Sequence, residues 1–174
     1  MNSKFNLFTN PYLESLLDNL DGFIVCDATK PGLPITLVSS GFSRLTGYAE
    51  KEIIGRPCKF LQGKDTCPQH INKISTALNT GQAYRGKILN YRKDGSSFWN
   101  YLRIDPVHDN DQLIAYIGIQ TDISSLEEEY NSRNKLLQSE AELNKNIMQV
   151  IINSGVSGIF TANTSGDVTS IDSI

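Results

Sequence analysis

Residues 84–123 read YRGKILNYRKDGSSFWNYLRIDPVHDNDQLIAYIGIQTDI. Three runs within this stretch are rich in β-branched and aromatic residues, and each predicts a strand: Tyr84 to Arg92, Ser97 to Pro106 and Leu113 to Ile123. Lys93-Asp94-Gly95 supplies a hairpin turn between the first two, and Asp109-Asn110-Asp111 joins the second to the third. Upstream, Gly22 to Cys26 and Ile35 to Val38 predict a further hairpin around the Gly/Pro loop from Asp27 to Pro34. Short helices fall between the two groups. Ser40 is placed to cap one through Leu45, which Gly47 stops. Residues 49–54 make a helical turn ended by Gly55, and Thr66 to Leu78 fits a longer helix with Pro68 near its start. Residues 1–21 carry one more short helix, with Leu13, Leu16, Leu17 and Leu20 at helical spacing. Segregated strands and helices predict an α+β domain: an antiparallel sheet, one face covered by helices, with room for an apolar cavity between them.

Composition bounds the function. A chain of 174 residues holds one ordinary domain and an extension, and 39% apolar residues suffice for one packed core. The net charge of −3, without a dense Lys/Arg run, gives nucleic acid no footprint. Apolar runs such as Ile147 to Ile152 are too short to span a bilayer, and the N-terminus lacks the pattern of an export signal. Cys26, Cys58 and Cys67 are therefore expected as free thiols in a reducing cytoplasm; their spacing fits no zinc site, and His70 and His108 do not cluster with them.

The chemistry concentrates in Gly55-Arg56-Pro57-Cys58-Lys59-Phe60-Leu61-Gln62-Gly63, a Gly-bounded turn that sets one thiol beside an aromatic, an amide and a cation. Asn90, Asn100 and Gln120 each lie on a predicted strand in apolar surroundings. Each amide offers a donor and an acceptor, and burying one unpaired is costly. Any one of them could be a satisfied sheet amide. Together with Cys58 they predict a pocket for a planar heteroaromatic ligand with alternating donors and acceptors. A Cys58–histidine nucleophilic dyad is the competing enzymatic reading, but neither histidine sits in a recognisable catalytic motif.

The Cys58 turn, Asn90-Tyr91 before Lys93-Asp94-Gly95, Phe98-Trp99-Asn100 and Ile117-Gly118-Ile119-Gln120 closely resemble, in that order, the motifs of LOV domains, the blue-light branch of the PAS superfamily. The resemblance covers roughly residues 12–125. It implies a PAS fold with a five-stranded antiparallel sheet and short helices, followed by a long C-terminal helix. It implies that Cys58 forms a reversible adduct with flavin C4a under blue light, and that Gln120 relays the change. Asn90 and Asn100 would bind the pyrimidine edge, Gln120 the O4 and N5 region, and Gln62 the ribityl chain. Ile24, Ile35, Leu61, Leu102 and Ile104 would wall the ring, with Cys26 near Gln120 and Phe60 supporting the turn. Three departures stand out. Pro57 replaces the usual Asn, and Cys26 replaces a frequent Thr. Where the family commonly places two phosphate-binding arginines, this chain has Lys59 and Ser75. A lysine is a point charge and not a bidentate fork, so FMN is expected with weaker retention, and some riboflavin beside it. A PAS module that only dimerises or binds another ligand is the alternative.

Residues 124–150 form the next segment. Ser124 and Glu127 have capping-box spacing, and a charged helical stretch runs to about Ile152. Its heptad seam takes Ile123, Tyr130, Leu137, Asn144 and Ile151 at one position, and Glu127, Asn134, Ala141 and Met148 at the other. This partly apolar seam predicts a homodimeric coiled coil, or else a lone helix packed on its own sheet. Within residues 151–174, Gly158 to Asn163 echoes Gly22 to Asp27, and Val168 to Ile171 echoes Ile35 to Val38, the start of a second PAS-like domain or a chance likeness of two hairpins. The expected whole is the sensor half of a signalling protein. It has no turnover of its own, and its effector lies further along the chain, with a diguanylate cyclase as the first expectation.

Overall fold

The computed structural model describes residues 22–153 and the backbone of two further strands, 159–162 and 168–172. The helix expected within residues 1–21 lies outside the described residues. The chain divides into two compact units, up to Glu127 and from Glu128 onward.

In the first unit, β1 (Gly22–Asp27) and β2 (Ile35–Val38) precede α1 (Ser40–Thr46), α2 (Glu50–Ile53), a 3₁₀ turn (Cys58–Leu61) and α3 (Pro68–Asn79). Then come β3 (Tyr84–Tyr91), β4 (Ser97–Asp109) and β5 (Gln112–Asp122). The sheet order is β2-β1-β5-β4-β3, all antiparallel. The first strand thus lies against the last, a long-range pairing that brings Gly22 opposite Gln120 and Ile24 opposite Gly118. On β3 and β4, Ile88 faces Asn100 and Asn90 faces Phe98. Because strand side chains alternate, these registers set Asn90, Asn100, Gln120, Leu102, Ile104 and Ile24 on one face. Phe42, Ile53 and Ile35, all fully buried, join the core on that face. Phe23, Val25 and Ala115 form a smaller cluster.

Local signals place the ends of the elements. Gly47 (φ 76°) ends α1, and Asn110 and Asp111 (φ 49° and 64°) turn β4 into β5. Two expected caps are corrected. The N-cap of α1 is Ser39, not Ser40: its Oγ accepts the Phe42 and Phe23 N–H groups. The capping box of the long helix α4 (Ser124–Asn153) does not form. Ser124 Oγ accepts the Trp99 N–H at 2.9 Å, and the Glu127 carboxylate pairs with Lys87 at 2.7 Å. Neighbouring strands thus outcompete the local cap. No residue of α4 is buried, and Tyr130, Leu137, Met148 and Ile151 of the heptad seam are exposed. In the second unit β6 (Ile159–Ala162) pairs antiparallel with β7 (Val168–Asp172). No helix among the described residues is long and apolar enough to cross a membrane.

Candidate functional site

Between the sheet and the helices lies a cavity of about 230 Å³. Its wall is mostly aliphatic, with Ile24, Leu61, Leu102 and Ile104 among the lining residues, and one end is edged by Asn90, Asn100 and Gln120. The amides are almost fully buried, at 4%, 1% and 1% exposure. Asn100 Nδ2 donates to Asn90 Oδ1 at 2.9 Å, and Asn90 Nδ2 donates to the Leu89 carbonyl at 3.3 Å. Asn100 Oδ1 and both polar atoms of the Gln120 amide have no partner. Two acceptors and one donor therefore stand together in a largely apolar pocket, an arrangement whose desolvation cost a ligand with complementary groups would offset. Close approach of the backbones makes room for the Gln120 amide. A Cβ on Gly22 would lie 3.1 Å from Gln120 Cβ, and one on Gly118 3.1 Å from Gln120 Nε2.

Cys58 and Cys26 both line the cavity and are free thiols. Burial pushes the Cys58 thiol up to about 12, and the neighbouring Cys26 adds to the effect. Burial alone raises Cys26 to about 12. Cys58 thus carries its proton at neutral pH, which opposes its use as a ground-state nucleophile. Neither His70 nor His108 lines the cavity. Among the described residues no group of three or more His, Cys, Asp or Glu side chains could hold a metal ion.

The turn bearing Cys58 is braced on both sides. The Arg56 guanidinium stacks over the Phe60 ring at 4.5 Å, and Tyr48 meets Phe60 edge-on at 4.9 Å. Beyond Gln62, Gly63 donates to Thr66 Oγ1, which donates in turn to the Leu89 carbonyl at 2.7 Å. The Tyr91 ring lies so close over Gly63 that a Cβ there would sit 2.3 Å from its Cδ2.

Of the residues expected from sequence, Cys26, Cys58, Lys59, Leu61, Gln62, Asn90, Asn100, Leu102, Ile104, Ile24 and Gln120 all line the cavity. Ile35 does not. It is fully buried in the core behind the wall, where its N–H donates to the Arg56 carbonyl and its carbonyl accepts the Gly55 N–H. It anchors the turn by backbone pairing because β2 lies beside that segment. Ser75 is exposed on α3 and does not line the cavity, whereas Lys59 does. Sequence reading missed Leu33, Ile88 and Tyr116 on the wall. Period-two alternation from Asn90 would have found Ile88, two residues away on the same face. Tyr116, buried with its hydroxyl on the Leu78 carbonyl at 2.7 Å, could be found the same way from Gln120.

The site continues directly into α4. Two residues beyond Gln120, Asp122 takes a hydrogen bond from Arg92 on one oxygen and from the Ser124 N–H on the other. Burial pushes the Asp122 carboxyl up, but these hydrogen bonds outweigh it and hold the group below its usual value. Arg92 also donates to the Leu45 carbonyl at 2.6 Å and stacks on Phe98 at 4.3 Å.

Fold and cavity together define an α+β domain with a largely apolar cavity and an exposed C-terminal helix. The chain belongs to the PAS domain family, whose model matches residues 20–125, more than half of its length. It is similar to Phototropin-1A of Oryza sativa subsp. japonica, 50% identical over 107 residues, which are 61% of this chain and 12% of that protein. It is also similar to a blue-light-activated histidine kinase of Rhizobium johnstonii, 38% identical over 132 residues, 74% of this chain and 38% of the kinase. The chain therefore spans well under two thirds of either relative. Among solved structures, the LOV domain of a blue-light activated histidine kinase from Erythrobacter litoralis superposes with a TM-score of 0.57 at 33% identity. That likeness covers 59% of this chain and 95% of the other.

Proposed function

We propose that residues 22–123 are a flavin-binding blue-light sensor in which Cys58 is the photoreactive group. The observation that carries this reading is the trio of unpartnered amide atoms at one end of an apolar cavity that also holds the Cys58 thiol. The edge of a flavin's pyrimidine ring alternates donors and acceptors and matches Asn90, Asn100 and Gln120 without adding charge. When bound, FMN would supply light absorption and a photoexcited electrophilic ring, and Cys58 would present its protonated thiol to that ring. A protonated thiol suits this step, because excitation and not a lowered pKa provides the reactivity. Ile24, Leu61, Leu102 and Ile104 pack the ring and exclude water. Lys59, with no Ser75 charge to assist it, holds the phosphate, so riboflavin is a second occupant.

Gln120 reads the change. Its amide, flanked by Gly22 and Gly118, is free to exchange its oxygen for its nitrogen when the group it faces turns from acceptor to donor. Asp122 then transmits the altered strand end to α4. A few kcal/mol of differential contact is enough to shift a two-state helix. The exposed seam of α4 supports a homodimeric coiled coil that carries the signal through residues 124–150, past a second PAS-like start at 151–174, to an effector in the same protein. The light-activated kinases named above support a histidine kinase as that effector, and the diguanylate cyclase expectation draws no support from them. Free thiols at all three cysteines agree with a reducing cytoplasm.

The test is an absorption spectrum before and after blue illumination. The purified chain should be yellow, bleach reversibly, and recover in darkness. Cys58→Ala should stay yellow and lose the reversible bleaching, whereas Gln120→Leu should form the adduct and lose the helix response. A colourless protein would point to a PAS module for another ligand. A loaded protein whose spectrum does not change with Cys58 reduced would sink the photochemical reading.

A further inference from the structure

Leu33 has φ 51°, a left-handed backbone that a leucine rarely adopts, and it is one of three described non-glycine residues with positive φ. The other two, Asn110 and Asp111, form a hairpin turn and are of the residue types that tolerate it. Leu33 closes a turn in the β1–β2 loop, its N–H on the Lys30 carbonyl, but it is not of such a type. Its side chain is instead half-buried against the core cluster and lines the cavity. Strained residues of this kind persist where the surroundings over-determine them, at ligand clamps among other places.

Its position is set by an antiparallel bridge between Pro34 and Pro57. In an antiparallel pair the residue before one partner faces the residue after the other, so Leu33 stands across from Cys58. Gly32, Leu33, Pro57 and Cys58 all line the same cavity. Neither proline has an N–H to donate, so the hydrogen bonds that hold the pair come from the residues beside them. The nearest ties are the Asp27 N–H on the Pro34 carbonyl at 2.9 Å and the Ile35 N–H on the Arg56 carbonyl at 2.9 Å. Leu33 itself donates to the Lys30 carbonyl at 3.3 Å. A lining residue that is strained, apolar and set across from Cys58 is placed to cover the thiol.

We propose that Leu33 is an apolar gate over the Cys58 sulfur, which closes the cavity wall against water and slows entry and exit of the flavin. The flavin part rests on the function proposed above, while the shielding of the thiol does not.

The test uses the full chain with Leu33→Gly, which removes the side chain and relieves the backbone, and Leu33→Asn, which keeps a residue tolerant of this φ. N-ethylmaleimide labelling is followed at each cysteine by mass spectrometry in the flavin-free protein, with half-buried Cys67 as internal reference. Both variants should label at Cys58 about tenfold faster relative to Cys67, as expected when a local opening no longer limits access. FMN-loaded Leu33→Gly should release FMN faster on dilution, with a thermal midpoint equal to or above that of the parent. Unchanged Cys58 labelling in both variants would overturn the gate, whatever the flavin does. Absence of photobleaching with altered labelling would leave the gate standing and remove the sensor reading.

Discussion

Gln120→Leu should move the stability of the flavin-free and the flavin-bound chain in opposite directions. In the flavin-free chain Gln120 is 1% exposed and neither polar atom of its amide has a partner. Burying an unpaired amide costs about 1–3 kcal/mol by mutational series. Water entering the cavity recovers part of that, so the lower end, about 1 kcal/mol, is the working figure. Leucine fills similar space without the polar atoms. The flavin-free variant should therefore be about 1 kcal/mol more stable, a rise in melting temperature of about 2–8 °C for a domain of this size. With FMN bound the same change removes one or two hydrogen bonds at about 1 kcal/mol each; added to the gain of about 1 kcal/mol in the flavin-free chain, this weakens FMN by about 2–3 kcal/mol, roughly 30–150-fold. Urea unfolding of both proteins, without flavin and at saturating FMN, measures both effects. A flavin-free Gln120→Leu that unfolds at lower urea than the parent would refute the reasoning, because it would mean that the amide is satisfied within the chain.

Four further outcomes can be measured. The extent of bleaching should be flat from about pH 6 to about pH 10, because Cys58 keeps its proton throughout that range. Its folded value of about 12 stands above the ordinary thiol value of 9.0, so its contribution to stability is full below about pH 9 and is lost as pH rises toward 12; unfolding titrations in that window measure it. Gly63→Ala should destabilise the chain by about 1–3 kcal/mol, since the added methyl meets the Tyr91 ring, and Tyr91→Ala in the same chain should remove most of that penalty. Arg92→Ala should leave the bleaching intact but loosen the first turn of α4, read as faster hydrogen exchange at Ser124 and its neighbours; exchange unchanged from the parent would argue against the Asp122 link.

How the site became legible differs from residue to residue. Asn90, Asn100 and Gln120 could be read because they interrupt strands that are otherwise apolar on that face, and an amide in such a run asks for a partner. Their mutual arrangement could not be read. It depends on the β3–β4 and β4–β5 registers, which set Ile88 opposite Asn100 and Leu102 opposite Gln120 and which the turn residues alone do not announce. Ile35 shows the same limit. Its apolar character marks it as core, but only the placement of β2 beside Gly55 and Arg56 turned it from a wall residue into an anchor for the turn. Ser124 and Glu127 had the spacing of a cap, yet Trp99 and Lys87 claimed them, because two strand groups reach α4 before its own backbone does. Leu33 had no local signal at all, since leucine does not favour the backbone it adopts there.

Composition, alternation and turn residues by themselves determined that this chain forms five strands and intervening short helices, that its apolar face could hold a cavity, and that Cys58 and three amides were the chemistry to follow. Those are properties of single segments, set by side-chain period and backbone preference. Tertiary structure decided which amide atoms were left without partners, which side of the thiol Leu33 would cover, and what would hold the start of α4. Each of these depends on the register and contact of separate segments, and loop closure and burial settle those only once the whole sheet has assembled.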